Sequence, residues 1–481
     1  MPIASIVVLT LLVYIFMSNK TYKEKYIFLF VLTCVLKIYW TQGYFLKIGN
    51  TEISSTSGVA SYCLLIYSIY LFLCRKIAIK KRTCMFAVML VVVSVISMIY
   101  EAVMPYEGML MPEQNENSSW DLYVLGQCYM YPYTPSVSSY ISSLITVIQF
   151  AVNVLLFKNI CDKEMFLKSY MRIIYWLKFE MYFGIFEFFL KNIINDLTTT
   201  FQITEILFGL NASSVLDSAV MKGGIFYSLQ GFAREPSHYN VFLFSLCLLM
   251  LLGNVMCSKF ASDRIEKSYS KSTIFGCVVL LILSGGFSGV WFLTMLLVLA
   301  LLLHIREHNY NVYDIVKKNK AWMMIFFVIA FVIGYVIMRN DYFSGRISDA
   351  LAIVNFLGDT GSFVGASMLV DNEGAHSTLA RFVSIYQGMV IFFDRPILGI
   401  SFGVQALHDF SIMYLVNMGV AGVFAMYKLL ASTNNNLRYD NKFLFLLFII
   451  GGFPMTVSCY GLSMHWLLFF EGTRLYMNKD W

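Results

Sequence analysis

Apolar runs long enough to cross a bilayer recur along almost the whole chain, and this recurrence limits the fold more than any other feature. Crossing about 30 Å of hydrocarbon takes roughly 20 apolar residues in a helix, with all backbone polar groups bonded inside the protein. Of the 481 residues, 58% are hydrophobic and 13% are charged, which is unlike a water-soluble domain. We therefore predict an all-α fold, a single polytopic transmembrane bundle over 1–481 with about 12–13 spanning helices.

The predicted spans follow directly from the apolar runs. They lie near 3–18, 26–42, 58–74, 84–103, 141–158, 173–190, 239–257, 273–286, 288–304, 321–338, 411–430 and 443–459, with a shorter one at 461–473.

The Lys and Arg residues cluster in every second connection between these spans. The positive-inside rule places such connections in the cytoplasm, so topology accounts for the net charge of +6 and no nucleic-acid partner is indicated. The remaining connections face outward, and the long ones are 105–140, 191–238 and 339–410. Large outward loops favour an enzyme that acts on external substrates over a transporter.

The loop 339–410 contains four Arg residues and no Lys. Within it, apolar residues repeat at helical spacing after Ser377 until Pro396, which predicts an amphipathic interfacial helix near 377–394. Arg381 and Arg395 belong to this segment, and their guanidinium groups match phosphate oxygens in a planar, bidentate manner. Alternatively, each reaches lipid headgroups or pairs with Asp394.

A second polar group, Arg234-Glu235-Pro236-Ser237-His238, lies where 191–238 meets the next span. Pro at the first turn suits a helix start, whose N–H groups and positive dipole end attract anions. The simpler interpretation is a helix cap without another role. Four polar groups at a membrane entrance favour a functional site.

His408 and Asp409 precede Gly419 and Gly422 at the outer end of an apolar span. A histidine there can accept a proton from a sugar hydroxyl near neutral pH, and the glycines allow close helix approach. An isolated histidine also favours the headgroup layer without any catalytic role.

Glu180 and Glu187 lie seven residues apart in the predicted span 173–190, hence on one helix face, with Lys178 nearby. A structural ion pair or hydrogen bond explains them as well as a functional role does, so they are left out of the predicted site.

Several signals for other chemistry are missing from the sequence. It has no outward Asp-x-Asp pair, no His-Glu-x-x-His and no Cys or His ligand spacing, so we predict no metal site and no cofactor. It also has no Walker-type loop, which argues against ATP hydrolysis.

Taken together, these motifs resemble those of Wzy-type O-antigen or capsule polymerases and O-antigen ligases. Glu235-Pro236-Ser237 resembles a stretch that recurs in polysaccharide polymerases. The segment from Arg381 through Arg395-Pro396-Ile397-Leu398-Gly399-Ile400-Ser401-Phe402-Gly403 looks like the outer-loop block that ends in a Pro-aliphatic-Leu-Gly turn. The spacing of His408, Gly419 and Gly422 is similar to a ligase motif, from which Asp409 departs.

The resemblance implies a GT-C-like bundle with a large outer cavity and metal-independent, inverting glycosyl transfer from a polyprenyl diphosphate carrier. The implied roles are diphosphate binding by Arg234, Arg381 and Arg395, proton acceptance by His408 or Glu235, and further substrate contacts from His238 and His376. The sequence does not choose between the two candidate bases.

The implied location is a bacterial plasma membrane, with the site facing the periplasm or the cell exterior. The implied partners are polyprenyl-diphosphate-linked oligosaccharides, membrane lipid, a chain-length regulator and a flippase. The alternatives are an O-antigen ligase that transfers the chain to the lipid A core, a peptidoglycan-type polymerase, and, in a different class, a non-enzymatic flippase. Glu235-Pro236-Ser237 and Asp409 favour the polymerase.

A single Cys introduced at Ser362 should react with a membrane-impermeant maleimide in intact cells, because 339–410 is predicted to face outward. The mass shift of the labelled protein measures the reaction. Labelling only after the inner face is exposed would contradict the predicted topology.

Overall fold

The computed structural model describes 2–38, 44–48, 51–107, 136–208, 221–222, 226–233, 236–260, 271–284, 289, 292–299, 348, 351–352, 354–356, 358–359, 386, 388–402 and 410–431. These residues are mostly α-helical. In chain order the elements are α1 (Ile3–Met17), α2 (Tyr22–Ile38), β1 (Tyr44–Ile48), β2 (Thr51–Ser55), α3 (Thr56–Leu73), α4 (Lys81–Val103), α5 (Val137–Ile160), α6 (Lys163–Phe189), a π-helical turn (Leu190–Ile194), α7 (Thr199–Phe208), β3 (Met221–Lys222), β4 (Phe226–Tyr227), α8 (Pro236–Phe260), α9 (Lys271–Leu283) and α10 (Phe410–Ala431).

A helix covers each predicted span that lies within the described residues. For the span 288–304 the described parts are 289 and 292–299, which are helical. The spans predicted at 321–338, 443–459 and 461–473 lie outside the described residues.

Helix α6 begins at Lys163, well before the predicted span 173–190. Asp162 caps it by accepting a hydrogen bond from the Met165 N–H at 2.9 Å. An exposed ion pair between Lys168 and Glu164, one turn apart, supports the first turns. The basic residues predicted in a cytoplasmic loop here therefore lie on a helix.

Within the described residues, four helices are long and apolar enough to cross a membrane: Thr56–Leu73, Lys81–Val103, Val137–Ile160 and Ile412–Ala431. Exposed apolar side chains are frequent on them, such as Ile66 in α3 and Ile99 in α4, which are 66% and 55% exposed. Apolar surface of this kind suits contact with lipid. The length and composition of these helices thus indicate a membrane protein.

Two short antiparallel hairpins depart from the all-α prediction. In the first, β1 pairs with β2 so that Lys47 lies opposite Glu52, and in the second β3 pairs with β4. The sequence between β1 and β2 is Gly49-Asn50, a pair that favours a two-residue hairpin turn.

The described residues belong to two compact units. The first draws on Met1–Leu90, Thr146–Leu299 and Ala425–Trp481, and the second on Val91–Ile145 and Ala300–Phe424.

Aromatic side chains and buried polar bonds form the core of the first unit. Phe30 of α2 packs on Phe157 of α5 with ring centroids 4.5 Å apart. The hydroxyl of Tyr170 donates to the Leu249 carbonyl at 2.6 Å, which ties α6 to α8. Buried Lys158, at the end of α5, donates to the carbonyls of Leu429, at 2.9 Å, and Leu430. A cation at these last carbonyls of α10 is favourable for the helix dipole.

The second unit is organised around an interruption in α10. Gly419 has φ +61° and ψ −175°, which is not helical, and it separates α10 into two segments. The N–H groups of Val420 and Ala421 donate to the carbonyls of Pro396 and Ile397, at 2.8 and 3.1 Å. Groups freed by a helix break in a membrane need such partners.

The reverse bond closes the arrangement, because the Ile400 N–H donates to the Val416 carbonyl at 2.9 Å. Gly399 has φ +66°, and a Cβ atom there would lie 2.3 Å from that same carbonyl oxygen. A Cβ atom at Gly419 would lie 2.2 Å from the Ile397 carbonyl oxygen. Glycine is therefore required on both sides of this backbone contact.

Gly399→Ala should destabilise the protein by about 2 kcal/mol or more, because it combines a positive φ with a clash against backbone. The apparent Tm of purified protein in detergent measures the effect. Gly358→Ala is the matched control, since among the described residues no non-neighbouring atom lies within 4 Å of the added Cβ there. Equal Tm values for the two variants would contradict the close contact between the 396–400 segment and α10.

Candidate functional site

Among the residues predicted for the site, only Arg395 has a described side chain. His238 lies in the first turn of α8, but its side chain is not described. The remaining predictions lie outside the described residues: Arg234, Glu235, His376, Arg381 and His408.

Arg395 is held by an ion pair with Glu101 of α4. Its NH1 group contacts Glu101 Oε2, and its NH2 group donates to the Met104 carbonyl at 2.7 Å. The side chains of Arg395 and Glu101 are 14% and 0% exposed. The guanidinium carbon also lies 4.9 Å from the ring centre of Tyr100 and 5.4 Å from that of Tyr106. A planar cation suits all of these contacts at once.

Tyr106 connects this ion pair to Asp394, the residue that precedes Arg395 in the chain. Its N–H donates to Glu101 Oε1 at 2.9 Å, and its hydroxyl donates to Asp394 Oδ2 at 2.8 Å. Burial, and then the bond to Asp394, raise the pKa of Tyr106 well above its ordinary value. Tyr106 therefore stays protonated and acts as a donor at neutral pH.

The partner of Arg395 is Glu101 rather than Asp394, the residue considered from sequence. Glu101 was missed, although it is the one acidic residue in the apolar run 84–103. An acid in such a run needs a cation or several donors. That signal marks Glu101 as partnered, but it does not say which of the distant arginines pairs with it.

The segment that follows Arg395 is also hydrogen-bonded to α4. The helix predicted near 377–394 ends just before Arg395. Ser97 donates to the Leu398 carbonyl at 2.7 Å. Residues 388–394 are helical, and the Arg395 N–H closes the last turn on the Ile391 carbonyl at 2.9 Å. Ile391 is buried, whereas Phe393 is 70% exposed. The described end of this helix thus buries one apolar side chain and exposes another.

A second polar cluster lies in the first unit, along α6. Glu187 Oε2 accepts hydrogen bonds from the N–H groups of Gln230 and Gly231, at 3.1 and 2.7 Å. Glu180 Oε1 accepts one from the Phe232 N–H at 2.8 Å. Both carboxylates are fully buried. The two acids left out of the predicted site therefore bind the turn that comes just before Arg234 and Glu235.

Lys191 and Tyr239 complete this cluster. Lys191 Nζ lies 2.5 Å from Glu187 Oε1 and 4.6 Å from the ring centre of Phe201. A Cβ atom at Gly184 would lie 1.7 Å from the Tyr239 hydroxyl oxygen, so α6 and α8 meet there without a side chain between them. The cation noted near these acids in the sequence was Lys178. Lys191 takes that place because it lies one turn from Glu187.

No group of three or more His, Cys, Asp or Glu that could hold a metal ion occurs within the described part of the chain.

Comparisons with family models, with curated proteins and with solved structures found no match to this chain. The case for a function therefore depends on the motifs and on the geometry around them.

Removing one member of the Glu101–Arg395 pair should cost about 3–5 kcal/mol, because the other charge stays buried and unpaired. Glu101→Leu and Arg395→Met are each expected to lower the Tm in detergent, and the double variant to recover most of the loss. If the two losses add in the double variant, the pair is not coupled.

Proposed function

We propose that the chain joins polyprenyl-diphosphate-linked oligosaccharide repeat units into a polysaccharide at the outer face of a bacterial plasma membrane. On this proposal it is a polytopic bundle of about 12–13 helices, with the three long loops outside. The observation that carries the proposal is the contact between the 396–400 segment and the break in α10 at Gly419.

This contact supports the resemblance in a specific way. The Pro396-to-Gly399 turn and Gly419 belong to two motifs that were noted separately along the chain. In the structure they share three backbone hydrogen bonds, and each contributes a glycine that the other requires. Motifs that fold as one unit are stronger support than short matches taken singly.

In the proposed reaction, a sugar hydroxyl of one lipid-linked unit attacks the anomeric carbon of a chain carried on polyprenyl diphosphate. The new glycosidic bond forms as the bond to the diphosphate oxygen breaks, with inversion at carbon. The hydroxyl proton passes to His408 or Glu235, and the diphosphate leaves as an anion. Arginines aimed at its oxygens stabilise the transition state more than the ground state.

The ion pair between Glu101 and Arg395 leads us to assign different roles to the three arginines. Glu101 neutralises Arg395 and occupies part of its donor fork, so we assign most of the diphosphate contact to Arg234 and Arg381. Arg395 then holds the segment that leads from the amphipathic helix to α10. Binding of diphosphate by Arg395 itself remains a prediction from the motif.

Purified protein supplied with synthetic polyprenyl-diphosphate-linked repeat units should yield a ladder of products that differ by one repeat, with or without EDTA. Electrophoresis of the released glycans measures the ladder. Transfer only to a lipid A core acceptor would identify a ligase, and movement of intact units across vesicles without chain growth would identify a flippase. A ladder lost in EDTA and restored by magnesium would contradict the metal-independent mechanism.

Two variants make the same assay test the arginines. Arg381→Lys keeps the charge but loses the planar fork, so turnover should fall about ten- to a hundredfold. Arg339→Ala should keep most activity, since Arg339 follows an apolar span and suits a headgroup anchor. Normal chain length from well-expressed Arg381→Lys protein would remove Arg381 from the diphosphate site.

A further inference from the structure

The segment from Tyr227 to Phe232 is attached to one face of α6 and its π-helical extension at three successive points. Tyr227 exchanges two hydrogen bonds with Asn192, from its N–H to Oδ1 at 2.6 Å and from Nδ2 to its carbonyl at 3.4 Å. The N–H groups of Gln230 and Gly231 bind Glu187, and that of Phe232 binds Glu180. As the segment advances, its partners on α6 run backwards along the helix. We call Asn192, Glu187 and Glu180 the polar ladder.

The spacing of the polar ladder depends on a local feature of the helix. Glu180 and Glu187 are two turns apart and share a face. In a regular helix Asn192 would lie about 140° around from Glu187. The wider π-helical turn Leu190–Ile194 contains Asn192 and reduces that offset. Such π-helical turns occur often at functional sites.

The polar ladder is costly to maintain, and this cost points to a role. Both carboxyl groups are buried, and among the described residues only Glu187 has a cation, Lys191, in contact. Glu180 Oε2 is also buried, and no partner for it occurs in the described part of the chain. A buried acid needs donors for its oxygens, and here the backbone N–H groups of 230–232 supply them.

Packing holds the same segment against α6 and α8. Phe232 stacks on Phe183 of α6, with ring centroids 3.7 Å apart. Gly231 has φ +57°, and a Cβ atom there would lie 2.4 Å from Glu180 Oε1 and 2.6 Å from the Tyr239 ring. The Ala233 N–H closes the turn on the Gln230 carbonyl at 2.8 Å.

Both flanks of Arg234 and Glu235 are therefore fixed. On one side the chain is bound as far as Ala233, which is 1% exposed. On the other side Pro236 begins α8, and Tyr239 is fully buried against Gly184 and Gly231.

We propose that Glu180 and Glu187, together with Asn192, are positioning residues for the reaction, because they hold the segment Tyr227–Phe232, which leads along the chain to Arg234 and Glu235. The proposal rests on the proposed function, since it assumes that Arg234 and Glu235 meet the substrate. The positioning residues act through geometry, because a small displacement of the reacting groups lowers the rate even when the substrate still binds.

Hydrogen exchange measured by mass spectrometry on the full-length protein in detergent tests the hold on the turn. The variants are Glu180→Ala, which removes the acceptor of the Phe232 N–H, and the pair Glu187→Gln with Lys191→Met, which removes both charges together. Exchange of the Gln230 to Phe232 amides should rise about five- to tenfold, as expected when a bond is lost or a charge-assisted bond becomes a neutral one. Glu164→Gln, on the exposed start of α6, should leave these amides unchanged.

Kinetics on the synthetic lipid-linked units test the role in the reaction. Both sets of variants should lose between about tenfold and a hundredfold in kcat with the donor KM unchanged. Asn192→Ala is a milder variant at a half-buried position, and it should raise exchange at Tyr227 and lower kcat less. Tm and membrane level are compared with those of Glu164→Gln to separate misfolding from catalytic loss.

The exchange and kinetic results together decide whether the polar ladder holds the turn and whether it has a positioning role. Unchanged exchange at 230–232 would overturn the hold of the polar ladder on the turn. Faster exchange with unchanged kcat would overturn the positioning role and leave a structural one. A wild-type protein that joins no repeat units would overturn the proposed function and the positioning role with it, while exchange alone would still decide whether the polar ladder holds the turn.

Discussion

The structure depends most on backbone N–H groups that a regular helix does not bond. Each of these groups needs an acceptor from another part of the chain. Where α10 breaks at Gly419, carbonyls of Pro396 and Ile397 replace the lost helical acceptors. Where the chain turns at Gln230–Phe232, two carboxylates of α6 replace water. In an apolar environment each unsatisfied group costs several kcal/mol, so these contacts leave little choice of geometry.

Charged residues within apolar helices follow the same principle. Glu101 pairs with Arg395 and accepts a hydrogen bond from the Tyr106 N–H. Glu187 pairs with Lys191 and accepts hydrogen bonds from two backbone N–H groups. Lys158 binds the final carbonyls of α10. Each charge is compensated by a partner from another part of the chain or from the next helical turn. A buried pair of this kind adds little stability by itself, but removing one member is expensive.

These two devices give the proposed chemistry a physical basis in each unit separately. In the second unit, the Glu101–Arg395 pair and the glycine contact hold the segment that follows the helical residues 388–394. In the first, the polar ladder holds the turn before Arg234 and Glu235. A transferase that stabilises a leaving diphosphate with arginines depends on rigid placement of those arginines, because electrostatic stabilisation requires donors that are already oriented.

The sequence by itself determined the membrane class, the positions of the apolar spans within the described residues and the end of the helix before Arg395. Hydrophobic period and length carry that information locally. It did not determine the hairpins, the helix break at Gly419, or the partners of Arg395 and Glu187. The apolar run around Gly419 reads as one continuous helix, and only the 396–400 segment makes its interruption favourable. Glu101 and Arg395 are far apart in sequence, so their pairing is decided by tertiary structure, where the cost of burying either charge alone selects the partner.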